Sequence, residues 1–208
     1  MGLSLRPAKA SDARDIVDIY FSAFREDPIS LVCFPRNNKA IYDFWFNMIV
    51  EELNSVDSHF VCVTSSDASG KENVVAFAQW NDSSKPLTLN LPTWPAGSDS
   101  EVANSFFGSL SSTHKRLMEG KRHWYLELVA TRPEFQGKGA AGMLLRWGLQ
   151  KVDEEGVEAY LEASPDGKPI YEHFGFEERE AMTVDLVGKG FEEKYVEVFM
   201  VRPITGKR

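Results

Sequence analysis

Only two cysteines, Cys33 and Cys62, occur in 208 residues. Two are too few for a disulfide framework and make no zinc site without well-placed histidine partners, so both are expected to stay as thiols and no metal is expected. Long apolar runs are missing as well: none approaches the ~20 residues that a membrane-crossing helix needs, and no membrane contact is expected. Positive charge is scarce, with 23 Lys and Arg against 31 Asp and Glu and a net charge of −8. That balance excludes a nucleic-acid partner, which would require a basic face, and is compatible with a cationic ligand. The start Met1-Gly2-Leu3-Ser4-Leu5-Arg6 has Arg where a myristoylation signal needs Ser or Thr, and it lacks the apolar stretch of a secretory leader. A cytoplasmic location is therefore expected, and the sequon Asn81-Asp82-Ser83 would carry no sugar there.

Neither repeats nor low-complexity tracts are found, and the chain is long enough for one domain with a full core but short for two. Leu3 to Arg6 alternates as a strand. Ser11 or Asp12 is expected to cap a helix with Ile16, Ile19, Tyr20 and Ala23 at helical spacing, and Asp27-Pro28 to end it. A second helix, about Asn38 to Leu53, carries an apolar stripe; Tyr42 and Phe46 are candidates to face a ligand as well. His59 to Thr64 and Val74 to Asn81 read as a hairpin across Gly70. The stretch Lys85 to Ser100, with Pro86, Pro92, Pro95 and Gly97, resists regular structure and is long for a connection, which marks Trp94 as a candidate cleft aromatic. A helix over Glu101 to Met118 follows. From Trp124 the order is strand, glycine-rich loop, amphipathic helix, strand, short helix, and two final strands, Gly175 to Leu186 and Lys194 to Pro203.

The glycine-rich loop, Gln136-Gly137-Lys138-Gly139-Ala140-Ala141-Gly142, sits between the strand Trp124 to Ala130 and the helix Met143 to Val152. Glycines let the backbone approach a ligand, and a helix N-terminus offers unpaired N–H groups and a positive dipole end, which together suit a diphosphate. The spacing fits neither Gly-x-x-x-x-Gly-Lys-Ser/Thr nor Gly-x-Gly-x-x-Gly. It is Gln136-x-x-Gly139-x-Ala141 after Thr131-Arg132-Pro133. This resembles the pyrophosphate loop of the GNAT family of acyl-CoA N-acyltransferases, and Tyr171-Glu172-His173-Phe174-Gly175-Phe176 resembles the ending that closes their cofactor site. Leu161-Glu162-Ala163-Ser164 is similar to the branch that holds puromycin-type and fungal small-molecule acetyltransferases.

The resemblance covers about residues 3 to 202 and implies an α/β (α+β) fold with a mixed central sheet of six to seven strands flanked by helices. It implies a single N-acetyltransferase domain over 1–208, with a CoA-binding core over about 123–176 and acceptor-site elements over about 24–55 and 83–118. The implied cofactor is acetyl-CoA, released as CoA, and the implied acceptor a small primary amine, with direct transfer in a ternary complex. Two alternatives stay open: a catalytically silent CoA-binding sensor or interaction domain, and a protein lysine or N-terminal acetyltransferase. Val129 and Thr131 would pair with pantetheine. Gln136, Gly137, Lys138, Gly139, Ala140, Ala141 and Gly142 would hold the diphosphate, and Ser164 stands where many members carry an asparagine that touches CoA. Tyr171 matches the tyrosine that lies near the sulfur and protonates it. The base is Glu127 or Glu162, each a lone carboxylate in an apolar strand; burial without partners would raise its pKa toward neutrality. Glu127 is expected to share a face with Tyr125, Val129 and Thr131. His123 and His173 are the remaining proton-relay candidates, and His173, two residues past Tyr171 on a helix, is expected to face away. Monomer and homodimer are both compatible.

Overall fold

The computed structural model describes residues 2–82, 90–192 and 194–205. Strand β1 (Leu3–Pro7) pairs antiparallel with β2 (Ser58–Ser66), which returns across the turn at Gly70 as β3 (Glu72–Asp82). Then come β4 (His123–Thr131), β5 (Glu158–Ala163), β6 (Glu177–Val184) and β7 (Tyr195–Arg202). They form a single seven-stranded sheet in the order β1-β2-β3-β4-β5-β7-β6, antiparallel except for β4 and β5. This is the mixed sheet that the family resemblance implies.

Among the described residues six α-helices cover it: α1 (Ala13–Ala23), α2 (Pro28–Cys33), α3 (Lys39–Leu53), α4 (Ser100–Met118), α5 (Ala140–Glu155) and α6 (Lys168–His173). Helices α1 to α4 bury their apolar residues on one face of the sheet, around Ile16, Trp45, Phe77 and Phe106. Helix α5 buries Leu144, Leu145, Leu149 and Val152 on the other, against Val61, Trp80 and Leu126. Cys33 and Cys62 are buried free thiols.

Two helix boundaries differ from the expectation. Asp27-Pro28 does not end the first helix, which stops at Ala23; it starts α2, with the Asp27 carboxylate accepting the Ser30 N–H at 2.7 Å and Pro28 in the first turn. Proline costs nothing there, because the first-turn N–H groups lack helical partners anyway. Nor does the Asp12 carboxylate cap α1: it is taken by the Arg6 guanidinium at 2.7 and 3.1 Å and by the Lys9 N–H at 2.7 Å. Of the proline-rich stretch, residues 85–89 lie outside the described residues.

Helix α5 rests directly on Trp80. A Cβ added at Gly148 would come within 2.1 Å of the indole Cε2, so only glycine allows this approach. Gly148→Ala is expected to destabilise the protein by about 1–3 kcal/mol through overpacking, although alanine is the better helix former. Urea denaturation of the two proteins measures it, and an unchanged midpoint would contradict the contact.

Candidate active site

The site begins with a defect in the sheet. Strands β4 and β5 pair only from His123–Glu158 to Leu126–Leu161; beyond that β4 stays with β3 while β5 continues along β7. At the parting, Gln79 of β3 pairs with Leu128 and Trp80 with Leu126, leaving Glu127 without an opposite residue, as in a β-bulge. The extra residue resets the alternation. Trp124 and Leu126 pack on the α5 side before the bulge, whereas after it Val129 does, and Leu128 and Ala130 pack on the α1 side. Glu127 therefore does not share a face with Val129, contrary to the expectation from strict period-two spacing.

A cleft of about 1180 Å³ opens where the strands part, and its walls include Val129, Thr131, Gln136, Gly137, Gly139 to Gly142, Ser164 and Tyr171. Gly137 and Gly139 have φ of +70° and +88°, and a Cβ at either would meet no atom within 4 Å. The left-handed backbone thus explains the glycines, and the room beside them is left for a ligand. The Met143 N–H bonds the Gly139 carbonyl at 3.2 Å, so the N–H groups of Ala140, Ala141 and Gly142 precede the first turn of bonds and lack helical acceptors. Donors, dipole and cleared space fit a diphosphate. Arg146, which sequence reading passed over, brings its guanidinium to 3.3 Å from where a Gly142 Cβ would stand.

Two loop side chains are otherwise engaged. Gln136 donates to the Thr131 carbonyl at 3.3 Å, bracing the loop entrance. Lys138 does not line the cleft; its ammonium sits 5.1 Å over the Phe135 ring, where a cation–π contact holds it. Ser164 Oγ accepts the Gly167 N–H at 3.3 Å and so shapes the turn into α6. That turn aims Tyr171, and Gly167 is small for its sake: a Cβ there would lie 2.9 Å from Tyr171 Cε2.

Tyr171, Val129 and Ser164 also border a second cavity of about 330 Å³ on the α1–α4 side. Phe34, Trp45, Trp94 and Phe107 supply aromatic wall. Trp94 is held there by donating to Asn104 at 2.8 Å. On α3 the lining residues are Phe44, Trp45 and Met48. Tyr42 and Phe46 point elsewhere, Tyr42 donating to Asp18 at 3.1 Å and Phe46 lying under Arg14. The helical stripe that packs on the sheet, not its neighbours, faces the cavity.

Glu127, Glu162 and Glu197 all reach this cavity. Glu127 is accessible from within it yet ringed by protein, and that burial, with the nearby Glu52 charge, pushes its pKa up to about 7 against the opposing Asn81 contact. Its Oε2 accepts both Gln79 Nε2, at 3.2 Å, and Asn81 Nδ2; its Oε1 accepts no hydrogen bond from the described residues. Glu162 is also raised to about 7 by burial, although Tyr125 donates to Oε2 at 2.7 Å and Tyr160 to Oε1 at 2.9 Å. Both its oxygens are occupied. Burial lifts the Tyr171 phenol well above its usual value, with the Glu197 charge adding to it.

Glu197 was not anticipated. Burial raises it to about 8, the Tyr195 hydroxyl lowers it, and Glu162 and Asp27 raise it further. The signal was present in the sequence, since Glu197 interrupts the apolar run Tyr195 to Val201 as Glu127 and Glu162 interrupt theirs. His123 lies at the far end of β4 from the cleft: buried, it contacts His114 Nε2 to Nε2 at 2.7 Å. Its Nδ1 is 2.8 Å from the Lys121 carbonyl, which can only accept, so His123 Nε2 accepts from His114. Burial depresses both histidines, consistent with a neutral pair. His173 is exposed, as expected from its helical spacing. Among the described residues no group of three or more His, Cys, Asp or Glu could hold a metal ion, and no helix is long and apolar enough to cross a membrane.

Residues 51–176 match the Acetyltransferase (GNAT) family. The chain belongs to this family. An uncharacterized N-acetyltransferase of Schizosaccharomyces pombe is 37% identical over 76 residues, 35% of this chain and 31% of that protein, so the match spans about a third of that relative. A Corynebacterium glutamicum structure described as histone acetyltransferase HPA2 and related acetyltransferase is 22% identical with a TM-score of 0.63, covering 100% of this chain and 99% of the other. A mosquito protein described as arylalkylamine N-acetyltransferase-like 5b is 12% identical with a TM-score of 0.64, covering 96% and 99%. At these identities the solved structures speak for the GNAT fold. The family's donor is acetyl-CoA, and the loop at α5 fits its diphosphate.

Gly139→Glu puts a carboxylate, and a side chain in left-handed backbone, into the cleared space. Acetyl-CoA affinity is expected to fall by at least about 100-fold, roughly the 3 kcal/mol of a charged contact made repulsive. Titration calorimetry on the folded variant checks it, and unchanged affinity would show that the diphosphate lies elsewhere.

Proposed function

We propose that this chain, with residues 1–208 acting as one catalytic domain, transfers the acetyl group of acetyl-CoA directly to a small primary amine in a ternary complex. The observation that carries the reading is the meeting of two cavities at Tyr171. One is suited to a diphosphate and a pantetheine arm; the other is aromatic and acidic. The wall formed by Leu91, Pro92 and Trp94 favours a small acceptor over a peptide laid along an open groove.

Acetyl-CoA supplies the acetyl group as an activated thioester. The residues of the chain do the rest. The edge of β4 around Val129 and Thr131, unpaired on the β5 side, offers backbone groups to an extended ligand in the manner of an added strand. A backbone N–H on this edge polarises the carbonyl being attacked. Glu127 takes the ammonium proton at Oε1, which accepts no hydrogen bond from the described residues, while Gln79 and Asn81 hold Oε2 and fix the orientation. Glu162, with both oxygens engaged by tyrosines, holds the floor of the pocket and contributes negative charge. Tyr171, kept protonated by burial, donates its hydroxyl proton toward the departing thiolate.

A base must be charged to accept a proton, and the carboxyl of Glu127 is raised to about 7. Amine-dependent kcat/KM is therefore expected to fall as the pH drops below about 7 and to level above it, with Glu127→Gln removing this limb and Glu162→Gln keeping it. Tyr171→Phe is expected to lower kcat by roughly 10² to 10⁴ with acetyl-CoA binding nearly intact, because the ring still packs and only the proton is lost. Thiol-release kinetics across pH with one good acceptor measures all three. A limb that persists in Glu127→Gln would remove Glu127 from the role of base.

A further inference from the structure

Direct transfer needs one carboxylate as base, yet the acceptor cavity holds four. They form two pairs. Glu127 and Glu162 stand on β4 and β5 where those strands part, close enough for the charge of one to raise the pKa of the other. Glu197 on β7 and Asp27 at the start of α2 stand beyond them, with the Tyr195 hydroxyl against both carboxylates. Among the described residues no Lys, Arg or His lines this cavity, so neither pair has a cationic partner within it. Glu197 is only 6% exposed, a depth at which an unneutralised carboxylate is strongly disfavoured.

We infer that the acceptor is a short diamine or polyamine, with one amino group held by Glu127 and Glu162 for acetylation and a second ammonium held by Glu197 and Asp27. This rests on the reading of the cavity as the acceptor site of an N-acetyltransferase. The spacing agrees: Glu162 and Glu197 lie on the paired strands β5 and β7, one strand step and two residues apart, roughly 8 Å at the usual strand separation and rise, with Glu127 across the parting of β4 from β5. That interval suits a linker of a few carbons between two nitrogens. The aromatic walls, Trp45 and Phe107 among them, cover the methylenes and offer ring faces to a cation. Arg36 acts on Asp27 from outside the cavity, but a monoamine would leave Glu197 without a counter-charge. An aryl monoamine, the other acceptor such walls would accommodate, gives it none either.

Initial rates of thiol release with acetyl-CoA test this with three acceptors: 1,4-diaminobutane, n-butylamine and 2-phenylethylamine. The diamine is expected to exceed butylamine in kcat/KM by about 10- to 100-fold, the worth of one charge-assisted contact. Glu197→Gln is expected to collapse that ratio toward unity, and so is Asp27→Asn, which retains an oxygen to cap α2. Calorimetric acetyl-CoA binding and a melting curve confirm that each variant is folded. If 2-phenylethylamine or butylamine matches the diamine, or if the ratio survives in both folded variants, the diamine assignment is overturned while amine acetylation stands. If none of the three is acetylated although acetyl-CoA binds, the small-amine reading falls, and this inference with it.

Discussion

The parting of β4 from β5 after Leu126–Leu161 is the constraint on which the site depends. A parallel pair that stayed bonded past this point would close the sheet and bring Leu128 and Val129 against Ala163 and Ser164. Because β5 instead follows β7, one edge of β4 is left with free backbone groups, and the gap becomes a cleft that reaches from the α5 loop to the α1–α4 face. The bulge at Glu127 lies at the same point, and its effect is chemical as well as geometric. It sends Glu127 and Leu128, neighbours in sequence, toward the same side of the sheet, which puts a carboxylate at the mouth of the gap while β4 keeps its bonds to β3.

In the carboxylates of the aromatic cavity, hydrogen bonds from the protein favour the charged form and burial opposes it. Glu127 shows this most clearly: the two amides on Oε2 stabilise its charged form and burial opposes it, and the balance lies near neutrality. Behind Glu162, Tyr160 is stacked 4.1 Å from the His114 ring, and His114 is fixed by His123. The neutral histidine pair thus acts as a rigid backing for the tyrosines that hold Glu162.

Much of this was legible from residue patterns. The glycine-rich loop between a strand and an amphipathic helix pointed to the cleft that its left-handed glycines and unpaired N–H groups line, because these are local backbone properties. Lone carboxylates in apolar strands located Glu127 and Glu162 for a similar reason, since burial is encoded by the neighbours in sequence. The bulge escaped notice because it is a property of pairing between strands 48 residues apart, Gln79 against Glu127, and nothing in the run Trp124 to Thr131 announces it. Asp27 was read as punctuation, and its place beside Glu197 follows only from the packing of α2 against β7. On α3, apolar spacing identified the stripe but not that Phe44 and Trp45, part of it, would also wall a cavity.

Gly148 gives the core and the site a shared dimension. It lies two and a half turns along α5 from Gly139, about 13 Å at 1.5 Å per residue, and takes no part in the cleft. Yet its contact with Trp80 sets the height at which the whole helix rides over the sheet, and a helix behaves as a stiff rod over that distance. The indole is in effect a shim under a cantilever whose free end carries the unpaired N–H groups of the loop. A change of size at Trp80 or Gly148 would shift those groups without touching them.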